Sequence, residues 1–217
     1  MHFEKNRYDV IGGFISPVHD AYGKLSLIPQ HHRLAMCDAA VASSSWLSVQ
    51  SWEVRQRAWT TTARTLAKYQ SALDRAGLTA APIRVKLLCG ADLLESILVP
   101  DLWAAADLEV LFGQVGVVVI ERVGLDLAAL IASTPLLARY AANIDLVPQR
   151  IANTISSTSV RELLRNQQSA RFLTPDPVLE YIHANALYGW DPTKHPKPEY
   201  LVPTVAENEK RVDAKSQ

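Results

Sequence analysis

A run of hydroxyls, Ser156-Ser157-Thr158-Ser159, with Arg161 shortly beyond it, is the densest phosphate-binding chemistry in the sequence. It follows an extended stretch, and a helix is predicted to open at Ser157. Ser or Thr at a helix start caps it by accepting from free backbone N–H groups. The remaining N–H groups and the positive end of the macrodipole favour an anion. Arg161 falls one turn beyond Ser157 on the same face. A polyphosphate fits this arrangement, and so does an ordinary capped helix with an exposed arginine, because such caps are common. Gly90-Ala91-Asp92 is a second candidate, a glycine that allows close backbone approach beside a carboxylate, but alone it is a weak signal.

Other chemistries lack their residue patterns. There is no Gly-x-Ser-x-Gly elbow, no Cys-His pairing and no carboxylate dyad. His31 and His32 sit in the first turn of a predicted helix without carboxylates at ligand spacing, so no metal held by protein alone is expected. Cys37 and Cys89 belong to no CxxC or Cys/His cluster and read as reduced structural thiols. Lys+Arg and Asp+Glu both total 22, so no net field draws nucleic acid or an anionic membrane, and the ligand should be small.

The elements that must carry these groups alternate. Residues 8–16 read as a strand stopped by Pro17. Helical spacing follows over 29–41 and over 52–75, the second closed by Gly77. A strand over 83–89 runs into Gly90 and a helix over 91–98. Residues 115–121 form an apolar run of the kind buried in a parallel sheet, 126–140 are helical around Pro135, and 144–147 are a short strand. Helices are predicted from Ser157 and over 177–183. With 217 residues and 48% hydrophobic content, one domain over 1–189 is expected, and the polar stretch 190–217 is expected to be disordered. Alternating strands and helices imply an α/β fold, a doubly wound parallel sheet whose ligands bind at the carboxyl ends of the strands. No secretory signal or membrane span is seen, and an intracellular protein, cytoplasmic or nuclear, is expected.

Several strings occur in one order: Ile15-Ser16-Pro17-Val18-His19-Asp20-Ala21-Tyr22-Gly23-Lys24, Trp52-Glu53, Lys86-Leu87-Leu88-Cys89-Gly90-Ala91-Asp92-Leu93-Leu94, Pro100-Asp101-Leu102-Trp103 and Ile155-Ser156-Ser157-Thr158-Ser159-Val160-Arg161. Together they resemble the eukaryotic nicotinamide/nicotinate mononucleotide adenylyltransferases over most of the chain, residues 8–188. The resemblance implies a Rossmann-like nucleotidyltransferase fold and adenylyl transfer from ATP, with Mg²⁺ carried on its phosphates, to the mononucleotide. By position, Trp59 and Trp103 resemble the aromatic pair that holds the pyridine ring, with Thr62 and Leu102 beside them. Tyr22, Lys24, Arg122 and Asn153 resemble further mononucleotide and dinucleotide contacts. Gly90 and Asp92 resemble the adenosine side, while Ser156, Ser157, Thr158 and Arg161 resemble the triphosphate site, Arg161 in the catalytic role. Read alone, Trp59 is equally a core residue on a helical stripe shared with Trp52, and Lys24 or Arg122 a solvated cation.

Two departures stand out. The family begins with a strand entering a Gly-Ser-Phe-Asn-Pro loop and a histidine that opens the first helix; here Met1 to Glu4 resemble only a remnant of that helix, so the first strand is expected to be missing and ATP affinity reduced. The family's lysine-rich run after Tyr22 reads Gly23-Lys24-Leu25. Two other readings remain: another nucleotidyltransferase of the same superfold, acting on pantetheine phosphate or a cytidine nucleotide, and a non-catalytic scaffold that binds NAD or a protein partner. A homo-oligomer is left open.

Overall fold

The structure, a computed structural model, describes residues 8–79, 82–122, 124–151 and 153–194. Residues 1–4, compared above with a helix remnant, lie outside the described residues. The chain divides into two compact units, Met1–Thr154 and Ile155–Gln217.

The first unit is built from parallel strands. β1 (Gly13–Ile15) pairs with β2 (Leu47–Val49), and the crossover between them contains the helix Gln30–Val41. β3 (Leu87–Gly90), β4 (Val117–Ile120) and β5 (Ile144–Val147) form a second parallel sheet in chain order, with Leu87 opposite Val117 and Val117 opposite Ile144. Helices Ala91–Ser96 and Ala105–Leu108 lie in the first crossover of this sheet, and Leu127–Ser133 and Pro135–Arg139 in the second. A parallel α/β architecture was the expectation, and the β-branched run Val117-Val118-Val119-Ile120 shows why: Val117 and Val119 are fully buried, against Leu94, Leu111, Phe112 and Leu127. None of the described helices is long and apolar enough to cross a membrane.

Both outer edges of each sheet lack a further paired strand among the described residues. Gly13 N donates to Trp46 O at 2.9 Å and Ile15 O accepts from Gln50 N at 2.8 Å, so β1 uses these residues toward β2. Leu87 N donates to Gly116 O toward β4 at 3.1 Å. In a parallel ladder alternate residues serve opposite neighbours, which turns the backbone groups of Phe14 and Leu88 to the outer edges of β1 and β3. One helix, Thr62–Ala76, reaches the first sheet and the segment that leads into the second: the Tyr69 ring lies 5.9 Å from Phe14, and Gln70 bonds Ile83 O and Val85 N, each at 2.8 Å.

Several elements differ from the sequence reading. The helix expected over 52–75 begins only at Thr62, because the Thr61 hydroxyl caps it and Gln56 is extended; Trp52 to Thr60 form a 3-10 turn, Glu53–Arg55, and a loop. Gly77, at φ 56, ends the helix as expected. The strand expected over 83–89 is confined to Leu87–Gly90, since the Gln70 side chain takes the backbone groups of Ile83 and Val85. Glu109–Val115 is a π-helix, so the strand expected over 115–121 starts at Val117, after Gly116 at φ 84. The pattern over 126–140 breaks at Thr134, where Pro135 opens a second helix. β2 carried no sequence signal strong enough to read.

The second unit contains the helices Ser157–Arg165 and Asp176–Ala184 and buries Leu164, Ala170, Val178, Leu179, Ile182 and Trp190. Trp190 stacks on His183 at 4.2 Å, and Pro192–Lys194 form a 3-10 turn, so the stretch expected to lack structure begins with packed residues. Residues 195–217 lie outside the described residues.

Candidate active site

In the first unit, segments that follow a strand's carboxyl end carry the candidates. After β1, His19 Nδ1 accepts from Ala21 N at 3.0 Å and caps the 3-10 turn Asp20–Tyr22, which Gly23 closes at φ 77. This presents Tyr22, with Lys24 exposed just beyond it. After β2, the loop brings Trp59 to the Tyr22 ring at 5.9 Å between centroids and an interplanar angle of 43°. Trp59 is 44% exposed and Tyr22 52%. The Trp52–Trp59 helical stripe is therefore a correction, since Trp59 stands in a loop with its ring offered to solvent. Thr62, first residue of the following helix, is half-buried.

Gly90 ends β3 and starts the helix Ala91–Ser96. A Cβ at Gly90 would stand 2.7 Å from Asp92 Oδ1, so the glycine leaves room for the exposed Asp92 carboxylate beside the strand end. Cys89, just before it, is a free thiol pushed up to about 11 by burial and by Asp92, hence protonated and inert at neutral pH. Trp103 donates its indole N–H to Ser96 Oγ at 3.1 Å and packs in part against the core, whereas Leu102 is 58% exposed. Arg122 is exposed after β4, and Asn153 is exposed beyond β5.

In the second unit the cap is Ser156. Its hydroxyl accepts from Ser159 N at 3.1 Å, and Ser159 Oγ in turn accepts from Ser156 N at 3.0 Å. Ser157 and Thr158 occupy the first helical turn, where backbone N–H groups have no intrahelical acceptor. Arg161 Nη2 donates to Thr158 Oγ1 at 3.3 Å, and its buried Nε makes no hydrogen bond among the described residues. This cluster can receive a polyanion.

The sequence matches the cytidylyltransferase-like family over residues 2–163. It is 37% identical to the nicotinamide/nicotinic acid mononucleotide adenylyltransferase 1 of Bos taurus, an alignment covering 84% of this chain and 77% of that one. The chain belongs to this adenylyltransferase family. Further relatives are the nicotinamide-nucleotide adenylyltransferase of Drosophila melanogaster, 37% identical over 95% of this chain and 58% of that protein, and the nicotinamide/nicotinic acid mononucleotide adenylyltransferase 1 of Saccharomyces cerevisiae, 38% identical over 85% and 48%. The chain thus spans about half the length of these two relatives.

Within this member of the family the structure brings Tyr22 to Trp59 and Gly90 to Asp92, but Trp59 and Trp103 make no direct ring contact among the described residues. Sequence reasoning missed a polar cluster that joins the end of β1 to the turn Glu53–Arg55 and to Tyr69. Ser16 Oγ donates to Glu53 Oε2 at 2.8 Å and lies 3.0 Å from Tyr69 Oη, with Trp52 packed edge-on to Tyr69. Burial pushes the Glu53 carboxyl up, against the pull of the Ser16 hydroxyl and Arg33. The Ser16-Pro17 and Trp52-Glu53 strings were the available signal, but neither shows that strand end and turn meet.

Proposed function

We propose that this chain transfers the adenylyl group of ATP to nicotinamide or nicotinate mononucleotide, giving NAD or its deamido form and pyrophosphate. The observation that carries the reading is the Tyr22–Trp59 pair, two exposed rings 5.9 Å apart on the loops after β1 and β2, in a member of this family. A cationic pyridine ring gains about 0.5–2 kcal/mol on such faces beyond the area it buries. Thr62, Leu102, Trp103, Arg122 and Asn153 are assigned with them to the mononucleotide and dinucleotide, and Lys24 to the mononucleotide phosphate. Gly90 and Asp92 receive the adenosine, whose ribose hydroxyls donate to the carboxylate. The nucleotidyltransferase domain is taken as 1–189, acting inside the cell.

The reaction needs no protein nucleophile. A 5′-phosphate oxygen of the mononucleotide attacks the α-phosphorus of ATP, the bond from that phosphorus to the β-bridging oxygen breaks, and pyrophosphate leaves. Alignment and positive partners for the charge growing on the leaving phosphates lower the barrier. Arg161 and the helix start at Ser156, Ser157 and Thr158 are assigned that role, an assignment supported by the unbonded Arg161 Nε. Mg²⁺ arrives on the triphosphate as part of the substrate; among the described residues no group of three His, Cys, Asp or Glu gathers to hold a metal.

An assay of dinucleotide formation from ATP and each mononucleotide, NAD from the amide and its deamido form from the acid, tests the reading, with pyrophosphate release measured in parallel. Folded protein that yields neither product overturns it, and NAD binding without turnover would mark a scaffold instead.

A further inference from the structure

We propose that Gln30 is a positioning residue that sets the Tyr22 ring against the Trp59 ring and thereby tunes affinity for the pyridine mononucleotide, an inference that rests on the assignment of those rings above. The Gln30 side chain bonds both ring-bearing segments at once. Its Oε1 accepts from Asp20 N at 2.9 Å, and its Nε2 donates to Val54 O at 2.9 Å. Asp20 opens the 3-10 turn that ends at Tyr22, and Val54 lies in the 3-10 turn that leads into the Trp59 loop. An amide is one of the few side chains that can accept on one arm and donate on the other, and the fixed donor at Asp20 and fixed acceptor at Val54 determine which atom goes where.

The contact is reciprocal. Gln30 is the first residue of the helix Gln30–Val41, and its own N–H, one of the donors a helix start leaves free, goes to Asp20 Oδ2 at 3.1 Å. Arg33, one turn on and buried, adds a bond from Nη2 to Asp20 Oδ1 at 2.8 Å and another from Nε to Ile28 O at 2.9 Å. The 3-10 turn is itself held by the His19 cap and by Gly23 in the left-handed region, so Tyr22 moves with Asp20. Arg33 anchors the turn to the helix and acts on Glu53 through its charge, whereas the Gln30 amide hydrogen-bonds both segments, and this makes it the residue that sets the spacing.

The test is a double-mutant cycle of Gln30→Ala with Tyr22→Ala in the NAD-forming assay. Gln30→Ala is expected to raise KM for the mononucleotide about fivefold, the effect of roughly one net hydrogen bond, with kcat and KM for ATP within about twofold. In the Tyr22→Ala background the same change should move KM by less than about twofold, because its effect passes through Tyr22. An equal rise in both backgrounds, or a joint change of kcat, both KM values and Tm, overturns the proposal. Amide hydrogen exchange read on the protein alone separates this from a failure of the functional assignment. Gln30→Ala should speed exchange over residues 19–23 and 54–59 and leave β4 protected, whether or not the chain turns over. Unchanged exchange in those segments overturns the clamp even if the wild-type protein makes NAD.

Discussion

Thr61 and Asp107 tie two stretches of chain that each carry a tryptophan assigned above to the mononucleotide. The Thr61 hydroxyl donates to Asp107 Oδ1 at 3.2 Å while accepting from Arg64 N at 3.3 Å as a helix cap. Trp59 lies just before Thr61, and Trp103 just before the helix that contains Asp107. Thr61→Val removes both bonds at nearly constant volume and is expected to cost about 1–2 kcal/mol of stability, with Thr61→Ser close to wild type. Thermal melts of the three proteins decide it: a valine variant that melts with the wild type would show that neither bond matters.

The two tryptophans should fail differently. Trp59 is loop-borne and 44% exposed, so Trp59→Ala should leave Tm nearly unchanged while weakening mononucleotide binding by about tenfold. Trp103 also packs on the core and bonds Ser96, so Trp103→Ala should lose about 2–3 kcal/mol of stability as well as affinity. Quenching of tryptophan fluorescence on titration with nicotinamide mononucleotide reads the affinities. Titrations of wild type and Trp103→Ala that superimpose would leave Trp103 a core residue only.

Among the described residues Arg161 hydrogen-bonds only Thr158 Oγ1, within its own helix, so Arg161→Ala should change stability by less than about 1 kcal/mol. Turnover should fall, or KM for ATP rise, by about tenfold or more, as the leaving phosphates lose a charged partner. Normal ATP kinetics in the variant would remove Arg161 from the mechanism.

The Glu53 carboxyl, pushed up by burial, has a definite effect on pH dependence. Its folded-state value lies above its unfolded one, so between the two the folded protein holds more protons. The stability associated with this group is present below the unfolded value and is lost as pH rises through the folded value. Glu53→Gln keeps an acceptor for Ser16 and carries no charge, so it should flatten that fall and be at least as stable as wild type at neutral pH. Denaturant midpoints from pH 4 upward would contradict this if both proteins declined in parallel.

The sequence by itself determined what local rules control. The apolar β-branched run at 115–121, the helix-ending glycine at 77 and the hydroxyl cluster at 156–159 act over a few residues, through burial, backbone sterics and capping, and each appears in the structure where those rules put it or within a residue or two. The motif order was legible for the same reason, since it lies in the residues themselves. What tertiary structure decided are the relations between distant segments. Trp59 reads as one stripe with Trp52 until the Thr61 cap starts the helix late, and Ile83 and Val85 read as strand until Gln70, from another element, takes their backbone groups. Glu53 and Ser16 are 37 positions apart and meet only because the sheet brings a strand end to a turn. Periodicity reports which face of an element is apolar, whereas a hydrogen bond between two loops depends on where the whole chain has carried them.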